Sequence, residues 1–166
     1  MAVLQLLYLL IPAYLANMMP VFVKGIPWNT PMDFGLSIGN IRIFGNNKTW
    51  KGFVFGVAGA ILAGFIMSKF YWPFDFSAVY WSFLIGSGAL IGDAVKSFFK
   101  RRAGRKPGSP WIPFDQVDYT IGALALGSLV FFPGWLNALI IIIVSAFGHV
   151  ISVRIGYFIG IRDVKW

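Results

Sequence analysis

The stretch YTIGALALGSLVFFPGWLNALIIIIVSAFGHVISV, residues 119–153, contains no Asp, Glu, Lys or Arg. A helix crosses a hydrocarbon core of roughly 30 Å with about 20 apolar residues. The stretch is therefore too long for one crossing and slightly short for two. Phe132-Pro133-Gly134 divides it with a tight turn. Two crossings require the first to begin near Phe114–Gln116 and the second to run to about Tyr157. This length argument draws Asp115 and Asp118 into the first turn of a membrane helix.

Working outward, residues 2–23 also lack charged side chains. They have no basic leading region and no clear small-residue cleavage site, so they read as a retained span rather than a signal peptide. The expected spans are Ala2–Val23, Gly52–Tyr71, Ser77–Phe99, Asp115–Phe132 and Trp135–Tyr157, with polar loops at 24–51 and 100–114. The sequence thus predicts an all-α integral membrane protein of five transmembrane helices forming one domain over residues 1–166. Composition agrees: 58% of the 166 residues are hydrophobic and only 12% charged, and mean hydropathy is +0.74. A disordered chain is excluded, and an ordinary soluble domain is disfavoured. The absence of cysteine excludes disulfides, thiolate metal sites and cysteine nucleophiles.

The charges are lopsided. Fourteen Lys and Arg face six acids, for a formal charge of +8, and all six acids are Asp. Five crossings put the two polar loops and the C-terminal end on one side, with every basic residue except Lys69. By the positive-inside rule that side is cytoplasmic and the N-terminus lies outside. The expected location is the cell membrane, multi-pass, with the active site facing the cytoplasm. The spacing of Gly52, Gly56, Ala60 and Gly64, and of Gly88 and Gly92, predicts close helix packing, within the chain or in a homodimer. Because the basic residues flank membrane helices, a nucleic-acid partner is not expected.

The candidate chemistry sits on the same side. Asp93, Lys96, Ser97 and Lys100 recur at i, i+3, i+4 and i+7, one face of a helix. Ionisable groups inside a membrane helix are expensive and usually functional, although a structural Asp93–Lys96 or Asp93–Ser97 pair would explain the same spacing. Asp115 and Asp118 read either as a helix cap of the capping-box kind or as ligands. Carboxylate clusters bind hard cations such as Mg²⁺, which retain substrate phosphates as further ligands. The surrounding Lys100, Arg101, Arg102, Arg105 and Lys106 suit phosphate oxygens. Together these residues read as a Mg²⁺–polyphosphate site. Asn46-Asn47-Lys48-Thr49-Trp50-Lys51-Gly52 places a cation and a hydroxyl at a helix start, which suits an anion; a Trp–Lys interfacial anchor is the alternative. The spacing is not that of a P-loop.

Three segments resemble the membrane cytidylyltransferases that make CDP-activated glycerolipids. Lys48-Thr49-Trp50-Lys51-Gly52 is similar to the family's Lys-Thr-x-x-Gly. Gly92-Asp93, followed by Ser97-x-x-Lys100-Arg101-x4-Lys106, matches its signature. Asp115-Gln116-Val117-Asp118 takes the place of Asp-Arg-x-Asp. Pro107 stands where bacterial members have Asp, their His-Gly-Gly is missing, and the chain is short. These departures resemble the compact archaeal branch.

The resemblance implies that CTP and an unsaturated ether-lipid phosphate, 2,3-bis-(O-geranylgeranyl)-sn-glycerol 1-phosphate, give CDP-archaeol and pyrophosphate. It implies Asp93, Asp115 and Asp118 as catalytic Mg²⁺ ligands, together with catalytic Lys100. Asn47, Lys48, Thr49, Ser97, Lys100, Arg101 and Lys106 are implied as contacts to the nucleotide or lipid phosphate. Lys96 and Arg105 are secondary candidates, and His149 is expected to be structural. No role is assigned to Asp33, Asp75 or Asp163. Rival readings are a CDP-alcohol phosphotransferase, whose longer Asp-rich pattern is not found, and a small channel or transporter. The clustering of acids and bases at one end argues against a path through the bilayer.

Overall fold

The computed structural model describes residues 3–106, 109–158 and 160. Among the described residues there are five helices: α1 (Val3–Phe22), α2 (Trp50–Phe70), α3 (Ala78–Arg102), α4 (Phe114–Gly127) and α5 (Trp135–Phe158). α1, α2, α3 and α5 are long and apolar enough to cross a membrane. Pro107, Arg162, Asp163, Lys165 and the first residue of the expected first span lie outside the described residues.

Helix starts follow local chemistry. Thr49 caps α2 by accepting from the Gly52 N–H at 3.2 Å. Ser77 caps α3 by accepting from the Tyr80 N–H at 3.3 Å. Lys100, Arg101 and Arg102 fill the last turn of α3, where cations complement the helix's carbonyl end.

One expectation needs correction, and one loop carries more structure than its composition shows. The fourth helix begins at the expected place but ends at Gly127, short of Phe132, and with 14 residues it is not among the helices long and apolar enough to cross a membrane. Trp81 and Ile85 of α3 press on Gly127, so that even a β-carbon would crowd them. The chain then turns through Ser128–Phe131 with i→i+3 and i→i+4 hydrogen bonds. The first polar loop is also not wholly irregular. It carries a two-stranded antiparallel hairpin, β1 (Ser37–Ile38) paired with β2 (Ile41–Arg42).

The helices alternate in direction. Tyr8, near the start of α1, donates to the Tyr71 carbonyl just beyond α2, and its ring meets Trp72. Phe131, just past α4, stacks on Phe76 just before α3. Both polar loops therefore lie at the opposite end of the bundle.

The core runs from Leu6, Leu9 and Leu10 through Trp81, Ile85 and Ala89 to Ala123 and Ile141. The small residues are spent inside this chain. Gly56 lies against Ala16 and Leu90, Gly64 against Ala78 and Ser82, and Gly86 against Ala60. Gly88 meets the backbone of Gly122, and Gly92 meets the backbones of Asp118 and Gly122. That last contact sets the site, because it brings the α3 turn carrying Asp93 against the α4 turn carrying Asp118.

Candidate active site

Lys96 is the hub of the polar end. Its Nζ lies 3.2 Å from Asp93 Oδ1, 2.6 Å from Asp115 Oδ1 and 3.0 Å from Asp118 Oδ2. Lys48, delivered by the first loop, pairs with Asp93 Oδ2. Lys100 reaches both Asp115 oxygens, at 3.2 and 3.1 Å. Three carboxylates and three ammonium groups thus interlock across α3, α4 and the loop before α2. An unpaired buried charge is costly, and the alternation of sign is what makes the cluster tolerable.

The acids differ in what they have left to offer. Asp115 is saturated, since its Oδ2 also accepts the Trp111 N–H at 2.6 Å. It does not cap α4, whose N-cap is Pro113 without a side-chain hydrogen bond. Asp118 Oδ2 is buried and has Lys96 but no further hydrogen-bond partner among the described residues. Gln116 Oε1 is buried as well and accepts no hydrogen bond from the described residues.

The first loop is built around Asp33, a side chain the sequence reading leaves without a role. Asp33 is 3% exposed. It accepts from the N–H groups of Gly35, Phe44 and Gly45 at 3.1, 2.9 and 3.0 Å and pairs with Arg42. Burial works against its charge, but the Arg42 guanidinium and these N–H groups hold the carboxyl well below the ordinary carboxylate range. Arg42 in turn donates to Asn46 Oδ1 at 2.8 Å. Buried Lys51 anchors the loop's start, donating to the Ile26 carbonyl at 2.7 Å and to Asn29 Oδ1 at 3.0 Å. These bonds fix the approach of Asn47, Lys48 and Thr49.

Two cavities meet at the cluster. The larger, of about 540 Å³, has a polar wall that includes Lys48, Thr49, Asp93, Asp115, Gln116 and Asp118. Its other wall is largely apolar, from Pro20 and Val21 of α1 to Ala146, Phe147, Val150 and Val153 of α5. The smaller, of about 160 Å³, is lined by Asn46, Ser97 and Arg101 among others, and the two share Asn47, Lys48, Lys96 and Lys100.

Most sequence-derived candidates therefore converge: Asp93, Asp115, Asp118, Asn47, Lys48, Thr49, Lys100, Ser97 and Arg101. Two of their hydroxyls are already engaged. The Thr49 hydroxyl caps α2, and Ser97 Oγ donates to the Asp93 carbonyl at 2.9 Å. Lys106 and Arg105 are exposed and line neither cavity. Lys96 proves central rather than secondary; its i+3 spacing from Asp93 is the signal that marks it. Asn17 and His149 line the larger cavity and were not among the sequence-derived candidates.

Among the described residues, no group of three or more His, Cys, Asp or Glu side chains stands in a metal-ligating arrangement. The donor chemistry nevertheless fits a hard divalent cation. Three carboxylates already gather around one point charge, the Lys96 ammonium, and Asp118 Oδ2 retains acceptor capacity.

Comparison with known proteins agrees with this architecture. The chain aligns with a solved intramembrane enzyme of archaeal membrane-lipid biosynthesis at a TM-score of 0.75 and 29% identity, covering 91% of this chain and 94% of that one. It is 36% identical to the CDP-archaeol synthase of Methanoculleus marisnigri, over 95% of this chain and 100% of the relative. It is 38% identical to that of Thermococcus kodakarensis, over 95% and 92%. It is 35% identical to that of Methanocaldococcus jannaschii, over 96% and 95%. The CarS-like family of CDP-archaeol synthases matches residues 1–166. Matched along its length by this family and by these relatives, the chain belongs to the CDP-archaeol synthase family.

Proposed function

We propose that the protein transfers the cytidylyl group of CTP to an unsaturated archaeal ether-lipid phosphate, 2,3-bis-(O-geranylgeranyl)-sn-glycerol 1-phosphate, forming CDP-archaeol and pyrophosphate. The observation that carries this reading is the position of the Lys96 hub. It lies where the polar wall of the larger cavity meets an apolar wall. Phe147, 68% exposed on the outside of α5, also lines that cavity. An opening that reaches the lipid-facing surface admits a prenylated phosphate sideways, while the polar loops admit nucleotide from water. A lipid-phosphate oxygen attacks the α-phosphorus of CTP, the bond to the β-phosphate oxygen breaks, and its electron pair leaves with pyrophosphate. No protein nucleophile is required.

The protein's contribution is positioning and charge stabilisation. Lys48, Lys96 and Lys100 form the shared wall of the two cavities and face the polyphosphate from both sides. Arg101 and Asn47 extend that surface, and Thr49 and Ser97 hold its helix turns in place. Lys106 would reach the nucleotide from the exposed linker. Asp93 and Asp118, with Asp115 behind them, would hold Mg²⁺, which neutralises charge on the transferring and departing phosphates when bound. The apolar wall keeps competing water from the reacting phosphorus.

Five crossings, with the N-terminus outside and both polar loops and the C-terminus in the cytoplasm of the cell membrane, suit a cytosolic nucleotide and a membrane-held acceptor. Leu6, Leu9, Leu10, Trp81 and Ile141 pack the other end of the bundle, which argues against a permeation path.

The test is purified protein with CTP, Mg²⁺ and a panel of lipid phosphates. Equimolar CDP-lipid and pyrophosphate, with the ether lipid preferred, is the expected result. Exchange of labelled CMP without pyrophosphate would move the protein to the phosphotransferase class.

A further inference from the structure

The hairpin of the first loop carries an apolar surface that the active site does not use. Residues 34–41, Phe-Gly-Leu-Ser-Ile-Gly-Asn-Ile, contain no charge and are all exposed. Phe34, Leu36 and Ile38 are 67%, 61% and 59% exposed, and Ile41 42%. The pairing register sorts them by face. Ile38 opposes Ile41 and Ser37 opposes Arg42, while the Ile43 N–H donates to the Leu36 carbonyl. Cross-strand partners share a face and successive residues alternate. Leu36, Ile38, Ile41 and Ile43 therefore fall on one face, and Ser37 and Arg42 on the other. Arg42 turns toward the buried Asp33, to which it is paired. The hairpin is two-faced: one side latched to its own loop, the other apolar and uncovered.

Its position within the bundle decides what covers that side. Arg102, the last residue of α3, donates to the Arg42 carbonyl at 3.2 Å. Arg102 stands at i+11 from Ile91 and i+7 from Val95, both exposed, so it ends the outward stripe of α3. At the hairpin's other end the Phe34 ring meets Trp50 at 5.8 Å between centroids. Trp50 opens α2 and begins a stripe that continues through exposed Val54, Ala58 and Leu62 at i+4 spacing. Both α2 and α3 are long and apolar enough to cross a membrane. Both anchors of the hairpin thus cap the lipid-facing stripes of these helices. The 25 residues of α3 extend about 37 Å, beyond a hydrocarbon core of roughly 30 Å, which leaves its last turn at headgroup level. Aromatic rings such as that of Trp50 suit the same level.

We infer that the Leu36–Ile38–Ile41 face of the β1–β2 hairpin is a membrane-docking surface, lying flat in the interfacial layer of the bilayer that the helices cross and holding the Lys48 loop down on it. An exposed apolar patch beside a lipid-facing surface marks such contact, and its binding strength scales with the apolar area buried. Ser37 and the tip residue Asn40 stay in water. The hairpin is joined rigidly to the active-site loop, because the Met32 N–H donates to the Lys48 carbonyl at 2.7 Å and the Trp50 N–H to the Thr30 carbonyl at 3.0 Å. The first loop is therefore an interfacial element rather than an aqueous one, whichever substrates the site takes.

The chain has no cysteine, so single spin labels report the contact directly in nanodiscs holding one copy of the full chain. At Leu36→Cys, Ile38→Cys and Ile41→Cys, collisions with dissolved oxygen should exceed those with a water-soluble nickel chelate. At Ser37→Cys and Asn40→Cys the order should reverse. Chelate-dominated collisions at positions 36, 38 and 41 would overturn the proposal. So would labels that are water-exposed in single-copy nanodiscs but shielded and spin-coupled in crowded proteoliposomes, since a second copy would then be the occupant.

The unmodified protein gives an independent reading. A lipid carrying a diazirine near the top of its acyl chain should leave photo-adducts on residues 34–41, and adducts confined to the helices would contradict the docking. The double variant Ile38→Asp/Ile41→Asp tests the hold on the loop. It should lose the adducts on 34–41 and accelerate amide exchange at Met32 and Trp50 in nanodiscs, and unchanged exchange would overturn that hold.

Discussion

Lys96 holds together three carboxylates that would otherwise repel one another at the end of a membrane bundle. Replacing it with Met removes the common partner of Asp93, Asp115 and Asp118. The expected outcome is loss of CDP-lipid formation by about 100-fold, the scale of removing a preorganised electrostatic group. Pyrophosphate release is the readout, and a lowered melting temperature should accompany it because buried carboxylates lose their counter-charge. Lys96→Arg is not expected to rescue, since a planar guanidinium cannot occupy a point shared by three carboxylates. The face bearing Asp93, Lys96, Ser97 and Lys100 is legible in the sequence because helical periodicity is local. The identity of the hub is not, because it depends on where α4 places Asp115 and Asp118. His149 and Asn17 are hidden for the same reason. Each lies far along the chain from Asp93, Asp115 and Asp118, and only the packing of α1 and α5 around the larger cavity brings both into its lining.

At the scale of elements, two devices aim these residues. The first is the α3–α4 contact, in which Gly92 and Gly122 let the backbones touch. Gly92→Ala would drive a β-carbon into the Asp118 carbonyl. It should cost about 1–3 kcal/mol, as overpacking does, and should reduce activity by separating Asp93 from Asp118. Gly148→Ala on α5 meets nothing within 4 Å and should be neutral or slightly stabilising, as Ala for Gly is in a helix. Thermal denaturation of the two variants side by side checks the contrast.

The second device is the loop around Asp33. Its carboxyl titrates below the ordinary range in the folded protein. Its contribution is therefore complete above the unfolded value of about 3.9 and fades only as pH falls toward the lower folded value. Amide exchange at Phe44 and Gly45 should show no loosening between neutral pH and about pH 5, beyond the intrinsic pH dependence of exchange. Asp33→Ala should accelerate exchange at both amides throughout that range and raise the half-saturating CTP concentration. The sequence conceals this device, because Asp33 meets its donors Arg42, Phe44 and Gly45 nine to twelve residues away without helical or strand periodicity. It also conceals the end of α4 at Gly127, where Trp81 and Ile85 of another helix pack closely. The long apolar spans were readable, since hydropathy and length alone define them.

For the whole molecule, transfer from a cytosolic nucleotide requires both polar loops on the nucleotide side of the bilayer. The chain has no cysteine, so single cysteines can be introduced cleanly. A cysteine at Asn40, at the tip of the β1–β2 hairpin, should label only with reagent on the cytoplasmic face, and one at Asp75, between α2 and α3, only from outside. The reverse pattern would put the lysine-rich wall out of reach of cytosolic CTP. Within that arrangement the bundle joins a water-soluble donor to a membrane-bound acceptor, and the acids facing Lys96 are where the two substrates meet. The most direct test of that claim is pyrophosphate release from CTP by purified Asp118→Asn protein in nanodiscs, with Mg²⁺ and the geranylgeranyl ether-lipid phosphate. Normal insertion and folding with no detectable pyrophosphate is the expected result. Turnover at the unmodified rate would contradict it.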